Sequence, residues 1–350
     1  MDSDQIIRIL FLTFLAFVFT VLWTPLLTHF LYKYKMGKTI RSKGNTPVFT
    51  KMHSHKSGTP TMGGILVWLT TLIFSLLFFY LAKFLPFEFI KNLNFLSRSE
   101  TLLPLGALVA TALVGLFDDW LDVRGKGVMG GGGLTVSHRL LTYAFIAFIG
   151  AGWFYYKLDW TVLHVPFFGS FEIGWWYIPF FIFVIIASAF SVNESDGLDG
   201  LAGGLLLFAF ASYSVISFSL GRYDLAAFCG VIIGSLMAFL WFNINPARFF
   251  MGDTGAMSLG VTLGIIAMLT NYALLLPIIG FLFVLESLSV ILQVLSKKLR
   301  NGKRIFISAP LHHHLQGKGW TEPKIVMRFW IIAGVSSSIG LIIFLFDKTL

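Results

Sequence analysis

Two neighbouring acids, Asp118 and Asp119, end a long apolar stretch in the segment FDDW (117–120). Such a stretch is typical of a helix, and the dipole of a helix disfavours anions at its carboxyl end. An acidic pair at this position therefore indicates a cation partner, and carboxylate oxygens are ligands that Mg²⁺ prefers. The alternative is a solvated pair of loop carboxylates, which these residues alone leave open.

Two further acidic segments, NESDGLDG (193–200) and FFMGDTG (249–255), lie just before apolar stretches. They contain Asp196, Asp199 and Asp253. An Asp before a helix is an ordinary N-cap, but the free N–H groups of a helix N-terminus also bind phosphate. Glycines, moreover, let a backbone approach a ligand closely. Two Asp spaced three apart and each followed by Gly exceed what one cap requires, so we expect a functional role for DGLDG.

Three consecutive histidines, His312 to His314, lie in a basic segment. Consecutive residues of a helix point about 100° apart, and neighbours in a strand point to opposite faces. Three adjacent imidazoles therefore cannot readily converge on one metal ion. Their spacing better suits a row of hydrogen-bond donors to phosphate, ribose or carboxylate oxygens.

The composition is that of a membrane protein. The chain has 350 residues, of which 56% are hydrophobic and only 12% charged, about half the charged fraction of a soluble domain. The first apolar stretch lacks a cleavage site and is interpreted as a retained span. Apolar runs long enough to cross a bilayer predict an all-α polytopic protein, a single domain over 1–350, with about ten transmembrane helices. Their approximate limits are 6–32, 62–85, 101–117, 139–156, 175–190, 200–219, 224–242, 255–270, 273–295 and 329–346.

Basic residues predict the orientation of these spans. Of the 26 Lys and Arg, 19 lie in the connections after the odd-numbered spans, counting Arg139 at the edge of the fourth span. The positive-inside rule then places these connections in the cytoplasm and both termini outside. The net charge of +9 therefore does not require a nucleic-acid partner. Most of it follows from the membrane topology, and the rest suits contact with anionic lipid or an anionic substrate. The five cytoplasmic connections are 33–61, 118–138, 191–199, 243–254 and 296–328.

The same five connections carry GTPTMGG (58–64), both Asp motifs, the Asp pair and the histidines. A shared site on the cytoplasmic face explains this distribution better than chance. Glu286 is the one acid well inside a predicted span, where ionisable groups are costly and usually functional. A hydrogen bond to Gln293 or Ser289 that keeps it neutral is an equal alternative. The glycines from Gly130 to Gly133 favour a flexible connector, because no Gly-Lys-Ser/Thr follows them.

These motifs, in this order on ten spans, resemble the phospho-N-acetylmuramoyl-pentapeptide transferases, within the polyprenyl-phosphate N-acetylhexosamine-1-phosphate transferases. The similarity runs from about Lys56 to Ile343. It includes ESLSVILQV (286–294) and APLHHHLQGKGWTEPKIVMRFW (309–330). The Asp motifs are shared with the wider superfamily, whereas GTPTMGG and the histidine loop resemble the muramoyl-pentapeptide branch.

The resemblance implies a Mg²⁺-dependent enzyme of peptidoglycan synthesis in the plasma (inner) membrane of a bacterium. In that reaction undecaprenyl phosphate attacks the β-phosphate of UDP-MurNAc-pentapeptide, which gives lipid I and UMP. Catalysis of phosphoryl transfer consists mainly of positioning and charge neutralisation. The predicted face agrees with this requirement, because it combines acids that can hold a cation, hydrogen-bond donors for anions and an interface with lipid. The resemblance also implies a homodimer.

Roles carried over from the family fall on matching positions only. The resemblance implies that Asp253 is the leading Mg²⁺ ligand, and that Asp118 and Asp119 lie at the catalytic centre, near the metal or handling the acceptor phosphate. Whether one of that pair acts as a base or a nucleophile stays open. The resemblance implies that His312, His313 and His314 are catalytic residues that supply positive or hydrogen-bonding contacts. The implied contacts to the donor substrate are Lys56, Thr61, Asn193, Asp196, Asp199, Phe250 and Gln293.

Two other functions would each explain part of the sequence pattern. A sibling enzyme would use UDP-N-acetylglucosamine as donor, but the histidine loop argues against it. A transporter would place its ionisable groups along a path near the bilayer midplane, whereas here most of them lie in the cytoplasmic connections. A structural scaffold would not need the clustered Asp, Gly and His.

One loop departs from the family pattern at two positions. Asp122 stands where the family usually has Lys, and Arg139 stands at another usual Lys. Arg139 keeps the charge, but Asp122 inverts it, so the phosphate contact expected of the first Lys is in doubt. Arg124 or Lys126 could supply it instead.

We expect the substitution Asp122→Lys to be tolerated, because it restores the usual residue of the family. The measurement is transferase activity of membranes that contain equal amounts of wild type and variant. Loss of activity with intact expression would contradict this expectation.

Overall fold

The computed structural model describes residues 2–37, 56, 58–98, 100–125 and 133–350. Lys126, most of the connection 33–61 and the glycines 130–132 lie outside these residues. The described chain is mostly helical. Its helices are α1 (Asp2–Lys33), α2 (Ile65–Phe84), α3 (Glu88–Leu93), α4 (Leu102–Val123), α5 (Val136–Lys157), α6 (Tyr177–Ser195), α7 (Leu201–Ser219), α8 (Tyr223–Asn243), α9 (Gly252–Leu269), α10 (Leu276–Ile279), α11 (Phe281–Leu299), α12 (Leu311–Gly317) and α13 (Glu322–Thr349).

The prediction of an all-α polytopic membrane protein is confirmed. Among the described residues, eight helices are long and apolar enough to cross a membrane. A ninth span arises if the pair Ala273–Ile279 and Phe281–Leu299 is counted as one, bent by 82° at Gly280. The predicted straight span 273–295 is therefore broken. Helix α5 covers the predicted span 139–156 and has 22 residues, but it is not among the eight.

A small hairpin, which the sequence pattern did not indicate, connects α5 to α6. Strands β1 (Val162–Val165) and β2 (Gly169–Glu172) pair antiparallel. The hairpin is tied to the last turn of α13 by Asp347. Its carboxylate contacts His164 Nε2 at 2.7 Å and accepts a hydrogen bond from the Phe167 backbone N–H at 2.5 Å. This contact holds the end of α13 that is remote from the acidic motifs.

Helix α9 lies at the centre of the bundle, and 17 of its 18 residues are buried. Small residues let its neighbours approach closely. A Cβ on Gly115 of α4 would lie 2.7 Å from Thr254 Cα, and one on Gly260 would lie 2.8 Å from Ala189 Cα of α6. The close packing places the first turn of α9, with Asp253, beside the end of α4, with Asp118 and Asp119.

Helix α1 packs on α8 through two glycines spaced four apart, Gly230 and Gly234. A Cβ on Gly230 would lie 2.7 Å from Oγ1 of Thr13, which belongs to α1. A Cβ on Gly234 would collide with the backbone carbonyl oxygen of Thr13 and lie 3.0 Å from the Phe17 backbone nitrogen. In membranes, where helix association depends on van der Waals packing, small residues at such spacing allow the backbones to touch.

We expect Gly234→Ala to lower thermal stability in detergent, because the atom it meets is backbone and cannot move aside. Overpacking of this kind costs about 1–3 kcal/mol, which corresponds to a fall in Tm of roughly 1–4 °C for a chain of 350 residues. The matched control is Gly152→Ala on α5, since a Cβ there meets no atom within 4 Å. An equal Tm for the two variants would show that α1 and α8 can move apart around the added methyl group without loss of stability.

Candidate active site

The acidic segments predicted to share a site meet at one end of the bundle. Asp118 and Asp119 lie in the last two turns of α4, Asn193 lies in the last turn of α6 with Asp196 as its C-cap, and Asp253 begins α9. The prediction that the third span ends at 117 and that the Asp pair follows it in a connection is wrong, because the helix continues to Val123. The predicted clustering of the acidic motifs is observed in the fold.

Arg139, in the first turn of α5, bridges the two acids at the centre of this cluster. Its Nε lies 2.8 Å from Asp118 Oδ2 and its Nη2 lies 2.7 Å from Asp253 Oδ2. The first contact is an ion pair rather than a well-aligned hydrogen bond. Nη1 donates to Asn193 Oδ1 at 3.1 Å, and Asn193 Nδ2 donates to Asp253 Oδ1 at 2.6 Å. One guanidinium thus connects three elements that carry motif residues.

Asp118 is completely buried. Its Oδ1 accepts a hydrogen bond from the Leu134 backbone N–H. A Cβ on Gly133 would collide with the same oxygen. The segment before α5 therefore closes directly over the carboxylate of Asp118, and Gly133 serves close packing rather than a flexible connection.

Asp119 joins the end of α4 to the start of α9. Its Oδ1 accepts a hydrogen bond from the Asp253 backbone N–H at 3.1 Å, and its Oδ2 accepts one from Thr254 at 3.0 Å. Thr61 donates its hydroxyl to Oδ1 at 3.3 Å. A carboxylate that receives free N–H groups of a helix N-terminus is stabilised by those bonds and by the helix dipole.

Gly252 lies between these groups with φ of 73°, a conformation that L side chains rarely adopt. A Cβ here would lie 2.5 Å from Asp119 Oδ2 and 2.6 Å from Thr61 Oγ1. Its backbone N–H donates to Asp196 Oδ2 at 3.2 Å. The glycine of the MGD motif is therefore required by both its backbone angle and its neighbours.

Lys56 lies in a second cluster, between Asp199 and Glu322. Its Nζ is 2.7 Å from Asp199 Oδ1 and 2.5 Å from Glu322 Oε1. Glu322 Oε1 also accepts a hydrogen bond from the Asp199 backbone N–H at 2.6 Å. Asp199 Oδ2 accepts from Asn245 Nδ2 at 2.9 Å. These bonds connect the segment before α2, the turn between α6 and α7, and the start of α13.

The ring of Phe250 lies beside this cluster, 5.7 Å from Lys56 Nζ. Its backbone pairs with the GTPTMGG segment, because its N–H donates to Pro60 O and its carbonyl accepts from Gly63 N, both at 2.8 Å. This pairing explains why the segment 58–64 belongs to the site although it precedes the Asp motifs by many residues.

The three histidines have three different environments, as expected from their adjacency. His312 is fully buried, and its Nδ1 contacts Glu286 Oε2 at 2.9 Å. His313 Nδ1 contacts Gln316 Oε1 at 2.8 Å. His314 Nδ1 accepts a hydrogen bond from the Ile307 backbone N–H at 3.1 Å. Within the described residues no group of three or more His, Cys, Asp or Glu is arranged around one metal position.

His312 is neutral in this environment. Burial, and next the positive charge of Lys56, lower the pKa of His312 to about 3. A neutral imidazole that donates from Nδ1 to Glu286 leaves Nε2 as an acceptor, and this atom has no partner among the described residues. Gly197 lies so close that a Cβ there would collide with His312 Nε2. The imidazole therefore lies beside the DGLDG turn.

Two predicted residues have well-defined structural partners. The partner of the Glu286 carboxylate is His312 rather than Gln293 or Ser289. The Gln293 amide instead donates to Phe306 O at 2.9 Å and accepts from the Ile305 and Phe306 backbones. Gln293 thus orients the segment that leads to the histidines, and its contact with substrate stays a prediction.

Sequence reasoning did not place Arg139, Glu322 or Asn245 among the site residues. The position of Arg139 at a usual Lys of the resembled family was the available signal. Glu322 stands in TEPK, in the predicted connection 296–328, where an acid ahead of a span is equally typical of a helix N-terminus. Asn245 gave no signal, since an Asn before Pro is ordinary in a turn.

The donor atoms of the central cluster suit magnesium. Asp118 and Asp253 each direct one carboxylate oxygen at the same cationic group, Arg139. Oxygen ligands of this kind, one or two per ion, are how proteins usually hold Mg²⁺ together with substrate phosphates. The Asp119 oxygens, in contrast, accept backbone hydrogen bonds.

The fold and site define a polytopic membrane transferase. The profile "Glycosyl transferase family 4" matches residues 101–271, and "Phospho-N-acetylmuramoyl-pentapeptide-transferase signature 1" matches residues 56–66. The curated phospho-N-acetylmuramoyl-pentapeptide-transferase of Chloroflexus aggregans is 36% identical over 346 residues, which cover 95% of this chain and 89% of that protein.

Those of Geobacillus sp. (strain WCH70) and Listeria monocytogenes are each 38% identical, over 94% and 95% of this chain and 95% and 96% of their own lengths. The chain belongs to the phospho-N-acetylmuramoyl-pentapeptide-transferase family.

The low pKa of His312 predicts a loss of stability in acid. When the chain unfolds, the imidazole regains its usual pKa of 6.5 and binds a proton that the folded state refuses. The free energy of unfolding contributed by His312 therefore falls as pH drops below 6.5, by about 2 kcal/mol at pH 5. His312→Asn, which can still donate to Glu286, removes this dependence.

The measurement is unfolding of wild type and His312→Asn in the same detergent at pH 7, 6 and 5. We expect the wild type to lose stability relative to the variant as pH falls. A difference that is constant across this range would mean that His312 titrates normally in the folded protein.

Proposed function

We propose that this protein transfers phospho-MurNAc-pentapeptide from UDP-MurNAc-pentapeptide to undecaprenyl phosphate, which yields lipid I and UMP. The observation that carries the proposal is the convergence of the family's acidic motifs around Arg139, beside a lysine and histidine cluster. This reaction is the first membrane step of peptidoglycan synthesis. We propose that it takes place at the cytoplasmic face of the bacterial plasma membrane, because the positive-inside rule favours the cytoplasm for the basic connections that carry the motifs.

The chemical step is a displacement at phosphorus. An oxygen of undecaprenyl phosphate forms a bond to the β-phosphorus of the donor, and the bond from that phosphorus to the bridging oxygen of UMP breaks. UMP leaves with the electron pair. Magnesium, when bound, supplies positive charge that neutralises the diphosphate oxygens. Asp253 and Asp118 would hold it, because these carboxylates already share one cationic partner.

The two neighbouring acids then have different roles. Both oxygens of Asp119 accept hydrogen bonds from the first turn of α9, so a nucleophilic attack by Asp119 would break the contact that orders the site. We assign Asp119 to positioning and Asp118 to the metal and the acceptor phosphate. This assignment favours direct attack by the lipid phosphate over an intermediate on Asp119.

The second cluster suits the nucleotide part of the donor. Lys56 provides a positive charge, Phe250 a ring face, and Asp199 with Asn245 acceptor and donor groups. His312 to His314 line the approach from the DGLDG turn, where His312 Nε2 is an acceptor and His313 and His314 are more exposed. Thr61, Asn193 and Asp196 order the backbone between the two clusters.

An apolar groove beside the site suits the prenyl chain of the acceptor. It has a volume of about 90 Å³ and lies between α6, α9 and the bent pair of α10 and α11. Ser191 belongs to this groove and lies two residues before Asn193, so the groove leads towards the acidic cluster. A homodimer, as the resemblance implies, completes the proposal.

The donor could instead be UDP-N-acetylglucosamine, as in the wider superfamily. The match of residues 56–66 to the phospho-N-acetylmuramoyl-pentapeptide-transferase signature favours the muramoyl donor. The relatives, whose names specify that donor, match over 94–95% of the chain. We therefore propose the muramoyl-pentapeptide as the substrate.

The test is a reaction of purified protein in detergent with labelled UDP-MurNAc-pentapeptide, undecaprenyl phosphate and Mg²⁺. We expect a lipid-linked product and release of UMP. Asp253→Asn should lower the rate at least roughly 10²–10³-fold, because it removes charge where the reaction needs it. The matched control is Asp122→Asn, the same substitution on the same face, which should keep activity within about 2-fold since Asp122 lies outside the contacts described above.

Two outcomes would contradict the proposal. One is absence of product from the wild type with this donor, together with product from UDP-N-acetylglucosamine. The other is full activity of Asp253→Asn, which would remove this carboxylate from the reaction.

A further inference from the structure

Arg139 lies where a metal ion shared by Asp118 and Asp253 would have to be. The guanidinium contacts Oδ2 of both carboxylates, at 2.8 and 2.7 Å. The Asp118 side chain is fully buried and that of Asp253 is 15% exposed, so water compensates little of their charge. Two buried carboxylates close together repel each other unless a cation lies between them.

We propose that Arg139 is a tethered counter-ion that competes with the divalent cation for Asp118 and Asp253. Without metal the guanidinium offsets part of the negative charge of the two carboxylates, and when metal binds it has to leave at least one of them. The inference rests on the metal site of the proposed function, but it concerns the guanidinium of Arg139 and not the metal ligands themselves.

The geometry of arginine is what permits this competition. Nε, Nη2 and Nη1 each serve a different acceptor, Asp118, Asp253 and Asn193. A planar guanidinium has five N–H donors in a fixed fork, whereas a lysine has one ammonium nitrogen. A lysine at this position could neutralise charge but could not hold all three acceptors at separate nitrogen atoms.

The side chain of Arg139 also has room to move. It is 24% exposed, whereas Asp118 beneath it is not exposed at all. The displaced guanidinium stays tethered to the first turn of α5, at the edge of the cluster, where it can contact the diphosphate of the donor. Arg139 thus positions the carboxylates before the metal binds and offers a phosphate contact afterwards.

The experiment measures metal affinity directly. Wild type, Arg139→Ala and Arg139→Lys are purified in detergent, and Mn²⁺ is titrated while the EPR signal of free Mn²⁺ is recorded. Competition by Mg²⁺ gives its affinity for the same site. Thermal unfolding with and without Mg²⁺ is recorded for each protein. The matched control is Lys298→Ala, which removes one positive charge from an exposed position on α11.

We expect Arg139→Ala to bind Mn²⁺ about 10-fold more tightly than the wild type or better, since a like charge within about 4 Å of the ion is removed. Arg139→Lys should lie between the two. Without metal, Arg139→Ala should melt at a lower temperature than the wild type, and saturating Mg²⁺ should close most of that gap. Lys298→Ala should match the wild type in both measurements.

Unchanged or weaker Mn²⁺ binding by Arg139→Ala would overturn the proposal, because the guanidinium would then help to organise the site. If Arg139→Ala does not fold, the Lys variant decides: Mn²⁺ affinity equal to or weaker than the wild type contradicts competition. Absence of Mn²⁺ binding by the wild type would refute the metal role in the proposed function as well, so the two failures are distinguishable.

Discussion

The arrangement of the site depends on one buried carboxylate, Asp119, at the boundary of two helices. It lies in the last two turns of α4 and accepts hydrogen bonds from two backbone N–H groups in the first turn of α9. Removing this carboxylate would leave those two backbone donors unsatisfied, at a cost of about 1–3 kcal/mol each. The contact fixes where α9 begins, and therefore the positions of Gly252 and Asp253. The acid next to it, Asp118, is held at the same time in reach of Arg139.

The remaining charges are arranged as pairs that span elements distant in sequence. Arg139 connects α4, α6 and α9, and Lys56 connects the segment before α2 to the turn before α7 and to α13. Each basic group is shared by two acids, so each cluster is anionic once its cation is counted. A cluster with net negative charge attracts further cations. It suits phosphate groups, which are themselves negatively charged, only when those cations are bound.

Much of this arrangement could be predicted from sequence, because the alternation of apolar runs and polar motifs fixes which motifs lie on one side. The prediction that adjacent histidines would not chelate one metal followed from helix geometry alone. The pairing of Arg139 with Asp118 and Asp253 could not be predicted, since it depends on how α5 packs against α4 and α9. The bend at Gly280 was also missed, because the apolar pattern continues through it while the backbone turns by 82°. The hairpin β1–β2 is too short for its pattern to differ from that of a loop.

Helix α13 is held at both ends. At its start, Glu322 contacts Lys56 and accepts a hydrogen bond from the Asp199 backbone. Near its end, Asp347 contacts the hairpin. A helix of 28 residues is about 42 Å long at 1.5 Å per residue, and it must cross a hydrocarbon layer of about 30 Å. A helix with free ends adapts to a thinner or thicker bilayer by tilting. Because α13 is anchored at both ends, a change of its tilt is expected to move either the hairpin or the cluster of Lys56, Asp199 and Glu322.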